Sequence, residues 1–129
     1  MTERTSGTGP SPSEQTVIRE ALAAERAGTT QQITDLTRDL GGIIEASTSV
    51  ATDDEHDPEG STIAFERAQV AALLTRARGR LEDLDRALER LRDGDYGMCE
   101  GCGQPIAAER LAARPSASTC ITCASARRR

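Results

Sequence analysis

The chain has 129 residues, a net charge of -5 and 29% charged residues, but one Phe, one Tyr and no Trp. An aromatic-filled globular core is therefore not expected, and the negative balance disfavours nonspecific attraction to nucleic acid. Ala, Leu, Glu and Arg dominate, a mix suited to long helices, and every one of the sixteen basic residues is Arg.

In chain order, residues 1–12 are rich in Thr, Gly, Ser and Pro and read as a disordered tail. They contain no apolar core of a secretory signal, and no later run approaches the roughly 18 apolar residues of a membrane span. A cytoplasmic protein is expected. A helix is predicted to start near Ser11 to Ser13, with Ser11 as cap, Pro12 at the first helical position and Glu14 completing a capping box. Its apolar positions are Ile18, Leu22, Ile33, Leu36, Leu40 and Ile43, interrupted in the middle by Arg26 and Thr29. Gly41 and Gly42 lower helix propensity near its far end, by up to about 1 kcal/mol each relative to Ala.

The second helix has the cleaner pattern. Val70, Leu74, Ala77, Leu81, Leu84, Leu88 and Leu91 step alternately by four and three, a heptad seam. The charges from Arg76 to Arg90 fall on its other faces and read as solvated. Between the helices lies the segment 47–61, too polar for a strand and broken by Pro58 and Gly60, with the second helix taken as regular from Thr62 to Asp93. Two helices joined by one such connection fold back as an antiparallel hairpin. The fold class expected is mainly α: a long helical hairpin over 13–93, a four-cysteine finger over 94–126 as its base, and a basic tail at 127–129.

The connection near 51–60 carries Asp53, Asp54, Glu55, Asp57 and Glu59. Carboxylates this dense repel one another, so they must be solvated, face a cation or sit at a helix N-terminus. Asp57 as N-cap followed by Pro58 is the simplest structural reading. A calcium loop starting at Glu55 would place Asp57, Glu59, Gly60 and Glu66 at positions 3, 5, 6 and 12, but with Glu at position 1 and a stiff Pro58 it ranks low. His56, the only histidine, sits in the same acidic run and reads as solvated.

Cys99, Cys102, Cys120 and Cys123 form two C-x-x-C pairs seventeen residues apart, a spacing that reads as a zinc site. Each pair turns two thiolates inward from one knuckle, and four thiolates at about 2.3 Å close a tetrahedral zinc with no place for water. One structural rather than catalytic zinc is expected. Gly101 and Gly103 supply the backbone freedom such a knuckle needs. Two disulfides are the competing reading, disfavoured in a reducing compartment, and a thioredoxin-like redox pair would need a βαβ context that is missing.

The run from Tyr96 to Ile106, then Glu109-Arg110-Leu111, Ala113-Arg114-Pro115 and Cys120-Ile121-Thr122-Cys123, resembles the zinc-finger signature of the DksA/TraR family. The preceding helical hairpin with an acidic tip extends the resemblance over roughly residues 14–126. It implies a protein that binds RNA polymerase rather than DNA, through a hairpin inserted into the secondary channel so that tip carboxylates approach the catalytic centre. Carried over, the tip residues are Asp54 and Asp57, with Asp53, Glu55 and Glu59 beside them. The family's tip reads Asp-x-x-Asp-x-Ala, and here Glu59 replaces the small residue. Where some members use basic residues to bind the alarmone ppGpp, this chain has Glu82, Asp83, Asp85 and Ala124, with Arg76 and Arg127 to Arg129 in partial compensation, so alarmone dependence is not expected.

The rival reading is a small zinc ribbon that binds nucleic acid through Arg110, Arg114 and the tail Arg127, Arg128 and Arg129. No aromatic residue is interleaved for stacking, and Asp93, Asp95, Glu100 and Glu109 surround the same site. A coiled coil that dimerises through its seam ranks below a monomer, since in a hairpin the first helix already occupies the seam. No nucleophile-base or paired-acid constellation supports an enzyme.

Overall fold

The computed structural model describes residues 10–50 and 58–127, with side chains over 10–48 and 60–127. Four helices follow in order: α1 Pro12–Val50, α2 Pro58–Asp93, α3 Ala108–Ala113 and α4 Ile121–Arg127. Among the described residues there is no strand, only an isolated bridge between Met98 and Pro105. The two long helices pack as an antiparallel hairpin, and the four cysteines cluster after it.

α1 begins as the sequence dictates. The Glu14 N–H donates to Ser11 Oγ at 3.2 Å, and Glu14 Oε1 accepts the Ser11 N–H at 2.8 Å. The reciprocal pair satisfies two helix-start donors, the capping box in full. The helix then runs through Gly41, Gly42 and the polar Ser47–Val50 stretch. Leu40 and Ile43 are half-buried on either side of the glycines, and Thr48 returns its hydroxyl to the Ile44 carbonyl at 3.0 Å. Such i−4 bonding satisfies a hydroxyl without breaking the helix.

α2 starts at Pro58, four residues before Thr62. Proline at the first helical position has its φ already set and lacks only an N–H that would have no helical partner. Gly60 lies in that first turn. The connection between helices is thus shorter at both ends than 47–61. Because 58–66 is helical, it cannot wrap a calcium ion as an EF-hand loop does around its sharp glycine turn. Asp53, Asp54, Glu55, His56 and Asp57 lie outside the described residues, and Glu59 lies in the first turn of α2.

The chain divides into two compact units, one from the N-terminal part to Ala27 with Glu82 onward, the other Gly28–Leu81. In the first, Leu22 of α1 meets Leu84, Ala87 and Leu91 of α2 and Tyr96 beyond it, with Ile18, Leu88 and Leu111 packed against them. Leu22 and Leu84 are fully buried, each site where truncation to Ala typically costs about 2–5 kcal/mol. In the second, Leu74, Ala77 and Thr29 are buried, and Ile33, Leu36, Leu40, Ile43 and Val70 are half-buried.

The apparent gap in the α1 seam is filled by polar residues. Thr29, at 4% exposure, stands seven residues from Leu22 and four from Ile33, so it keeps the heptad register. Arg26 pairs across the hairpin with Asp85, and that hydrogen bond together with its charge raises the Arg26 pKa further. Water screens this exposed pair.

Candidate metal centre

The route from α2 into the finger is set by two turns. Gly94 ends the helix with φ +89°, and Asp95 donates its N–H to the Arg90 carbonyl at 2.8 Å, the wide bond of a Schellman ending. Tyr96 then enters the core at 6% exposure and donates its hydroxyl to the Pro115 carbonyl at 2.7 Å. Burial, followed by the nearby Glu25 charge, raises its pKa. Gly97, again at φ +89°, accepts the Ile106 N–H at 2.8 Å.

The first knuckle closes when Cys99 donates its N–H to the Gln104 carbonyl at 2.8 Å and accepts the Gly103 N–H at 2.9 Å. Gly103 has φ +78°, the left-handed region where a side chain is strained. Gly101 has a different reason to be glycine. A Cβ there would stand 3.0 Å from Cys123 Sγ and 3.2 Å from Cys123 Cβ. The two knuckles are therefore in contact through Gly101.

The second knuckle is held by the Glu100 N–H, which donates to the Ser118 carbonyl at 2.8 Å, and by Arg110, whose Nε–H donates to the Thr119 carbonyl at 2.8 Å. α3 thus reaches across to the loop before Cys120. Arg110, counted in the sequence as a candidate for phosphate, spends its guanidinium on the finger.

All four Sγ atoms lie within 4.8 Å of one another, and those of Cys102 and Cys120 are 3.9 Å apart. Thiolates at about 2.3 Å from a tetrahedral zinc stand roughly 3.8 Å apart, so the donor set fits one ion. The cysteines are free thiols, with Cys99 buried and Cys102 exposed. The disulfide reading is replaced by a metal-ready cluster. Cys99 Sγ accepts N–H bonds from Cys120 at 3.2 Å and Gly101 at 3.3 Å. These donors, Cys120 first, pull its thiol down to about 6. Cys123 is pushed up to about 12 by the thiols of Cys99, Cys120 and Cys102 crowding it. Four thiolates cannot share this space without a cation, which is what a zinc supplies.

Residues 94–129 match the family described as the prokaryotic dksA/traR C4-type zinc finger. The solved structure of transcription factor DksA2 from Pseudomonas aeruginosa superposes with a TM-score of 0.71 at 27% identity, covering 91% of this chain and 84% of that one. Its finger is that of the DksA/TraR family. General stress protein 16O of Bacillus subtilis is 34% identical over 96 residues, 74% of this chain and 55% of that protein. The RNA polymerase-binding transcription factor DksA of Escherichia coli is 42% identical over 48 residues, 37% of this chain and 32% of that protein. The matched stretches thus span about half or less of these curated relatives. As a DksA/TraR finger, the cluster is a C4 zinc site, and no described helix is long and apolar enough to cross a membrane.

Two supporting residues carried no functional signal in the sequence. Arg90 read as part of a solvated face, yet its Nη2 donates to the Asp95 carbonyl at 2.8 Å and to the Met98 carbonyl, while Nη1 donates to Glu100 at 3.1 Å. Tyr96 read only as the first letter of the finger motif. Each meets a backbone carbonyl placed by a turn, which residue types alone do not announce.

Proposed function

We propose that this chain is a transcription regulator that binds RNA polymerase directly and modulates initiation, inserting its acidic-tipped hairpin into the secondary channel. The observation that carries the reading is the likeness to DksA2, which extends over hairpin and finger together rather than over the finger alone. The name borne by the Escherichia coli relative points the same way. In this reading the finger of residues 94–126 is a rigid base, with one structural zinc held by Cys99, Cys102, Cys120 and Cys123. The hairpin of residues 13–93 is the reaching element, and Asp53, Asp54, Glu55, Asp57 and Glu59 are the tip carboxylates. Charges near a magnesium-dependent centre act through local electrostatics, so the tip alters the reaction without performing one. The protein acts as a monomer in the cytoplasm and is not an enzyme.

A pull-down with core polymerase, competed by a known secondary-channel ligand, tests this. Co-purification lost on competition supports it, and no co-purification refutes it. The nucleic-acid reading is weakened because Arg110 is engaged by Thr119. A mobility shift at physiological salt with no DNA or RNA complex is expected.

A further inference from the structure

The four cysteine sulfurs are alike in chemistry but not in what the backbone directs at them. Cys99 Sγ accepts the Cys120 N–H at 3.2 Å and the Gly101 N–H at 3.3 Å, and Cys120 Sγ accepts the Cys123 N–H at 3.4 Å. The Gln104 N–H acts on the Cys102 sulfur. Among the described residues, no N–H is directed at Cys123 Sγ, whose neighbours are the other three thiols.

Local structure explains the difference. After Cys102 the chain turns at Gly103, with φ +78°, and that turn returns the N–H two residues on toward the sulfur. After Cys123 the chain continues inside α4, Ile121–Arg127. There each N–H points at the carbonyl four residues back, as Ala124 does to Cys120 at 2.9 Å. The donors that follow Cys123 are committed to the helix, so its sulfur carries its charge without them.

Hydrogen bonds around a metal site tune its ligands. An N–H aimed at a thiolate disperses its charge, and nucleophilicity falls with that charge. With four equivalent bonds to one ion, the difference among the sulfurs is set by these donors. We propose that Cys123 is the thiolate at which soft electrophiles attack the zinc centre, and so the first site of covalent modification in the chain. Accessibility names a different residue, since Cys102 is exposed and Cys123 half-buried. With iodoacetamide as probe, the Cys123 sulfur displaces iodide: one C–S bond forms, the C–I bond breaks, and iodide leaves with its electron pair. The thioether formed is uncharged and a poor zinc ligand, so zinc retention falls with each adduct.

The test treats the reduced, zinc-loaded full chain with less than one equivalent of iodoacetamide. Peptide mass spectrometry reads the modified position, and a chromogenic chelator reads released zinc. Modification of Cys123 is expected to exceed that of Cys102 by at least about threefold, with zinc released in step with the adduct. N-ethylmaleimide, bulkier and reacting by addition, should give the same order. In guanidinium with the zinc chelated, the four cysteines should react alike. Cys102 modified first would show that exposure decides, and would overturn the proposal. So would adducts spread evenly over the folded centre, or an order that reverses between the two reagents. A lead of Cys123 that persists in guanidinium would assign its reactivity to local sequence rather than to the missing donors, and would overturn it as well.

Discussion

Arg90 ties the last turn of α2 to Glu100, the residue between the first two cysteines' flanks, through an Nη1–Oε2 hydrogen bond of 3.1 Å. The same guanidinium also holds the Asp95 and Met98 carbonyls. Its side chain is 18% exposed, whereas Arg86, one turn earlier, reaches Glu100 at 3.7 Å from a side chain 52% exposed. The Arg90 fork therefore fixes three points of the segment 95–100 against the helix end. Through that segment, the register of the hairpin sets the position of the first zinc knuckle.

Replacing Arg90 by Met keeps the apolar stem but removes every donor, leaving two carbonyls and a carboxylate without it. A loss of about 1–3 kcal/mol is expected in urea denaturation of the zinc-loaded protein. Arg90→Lys should recover little, because one ammonium cannot reproduce a planar fork. Arg92→Met, exposed on the same helix, is the control. Equal denaturation of Arg90→Met and Arg92→Met would show that the clamp contributes no stability.

Tyr96 gives the finger an alkaline limit. Its phenol is held neutral in the fold, with its pKa raised above the ordinary 10 by burial and then by Glu25. The sign follows from linkage: the contribution is complete below pH 10 and is lost as pH rises through the raised value. Tyr96→Phe loses the bond to Pro115, about 1 kcal/mol at neutral pH, but carries no titrating group. Its stability should fall less steeply than the parent's above pH 10. Parallel alkaline curves for the two proteins would exclude the phenol as the source.

Local and periodic features were legible in the sequence, and features that depend on turn geometry were not. The Ser11–Glu14 capping box spans three residues, and the α2 seam repeats every seven, so both follow from residue types alone. The four cysteines carried their own geometry in the spacing. Thr29 was misread as an interruption because polarity masked a heptad position that the fold buries. Arg90 and Tyr96 were passed over, and Arg110 was assigned to phosphate, because their partners are carbonyls of Asp95, Met98, Thr119 and Pro115. No side-chain pattern marks a carbonyl, and those of Asp95 and Met98 directly follow Gly94 and Gly97 at positive φ.

Glycines in this chain divide into those the fold requires and those it tolerates. A Cβ at Gly41 or Gly42 meets nothing within 4 Å, and both lie inside α1. Gly41→Ala and Gly42→Ala should each stabilise α1 by up to about 1 kcal/mol, visible as slower amide exchange over Gly28–Val50. Gly101→Ala, by contrast, drives a methyl to 3.0 Å from Cys123 Sγ. It should weaken zinc retention against a chelator. Retention equal to the parent's would mean the knuckles are less closely apposed than 3.0 Å implies.

Metal removal should open the finger and spare the hairpin. Binding requires four thiolates, so zinc affinity falls as pH falls, and chelation should proceed faster in acid. Cys99→Ser should lose zinc most completely, since its buried sulfur also receives the Gly101 and Cys120 N–H groups. Cys102 is exposed, and Cys102→Ser should retain more. A metal content near zero in reduced parent protein would remove the zinc from the account.

The acidic connection admits a separation of charge from capping. Asp54→Asn keeps a polar side chain at a position outside the seam, so fold and polymerase affinity should be unchanged while the effect on transcription from a sensitive promoter weakens. Asp57→Asn makes the stricter comparison, because Asn caps a helix about as well as Asp. If Asp57 serves only as the cap before Pro58, the Asn variant retains both Tm and activity. If its charge acts at the polymerase centre, activity falls while Tm holds, a combination that loss of a cap cannot produce. Assays are compared at equal occupancy of polymerase, so that weakened binding does not imitate a tip defect. Parent-like transcription by both variants would leave the acids as a solvated helix start, and regulation would then reside in occlusion of the channel by the hairpin itself.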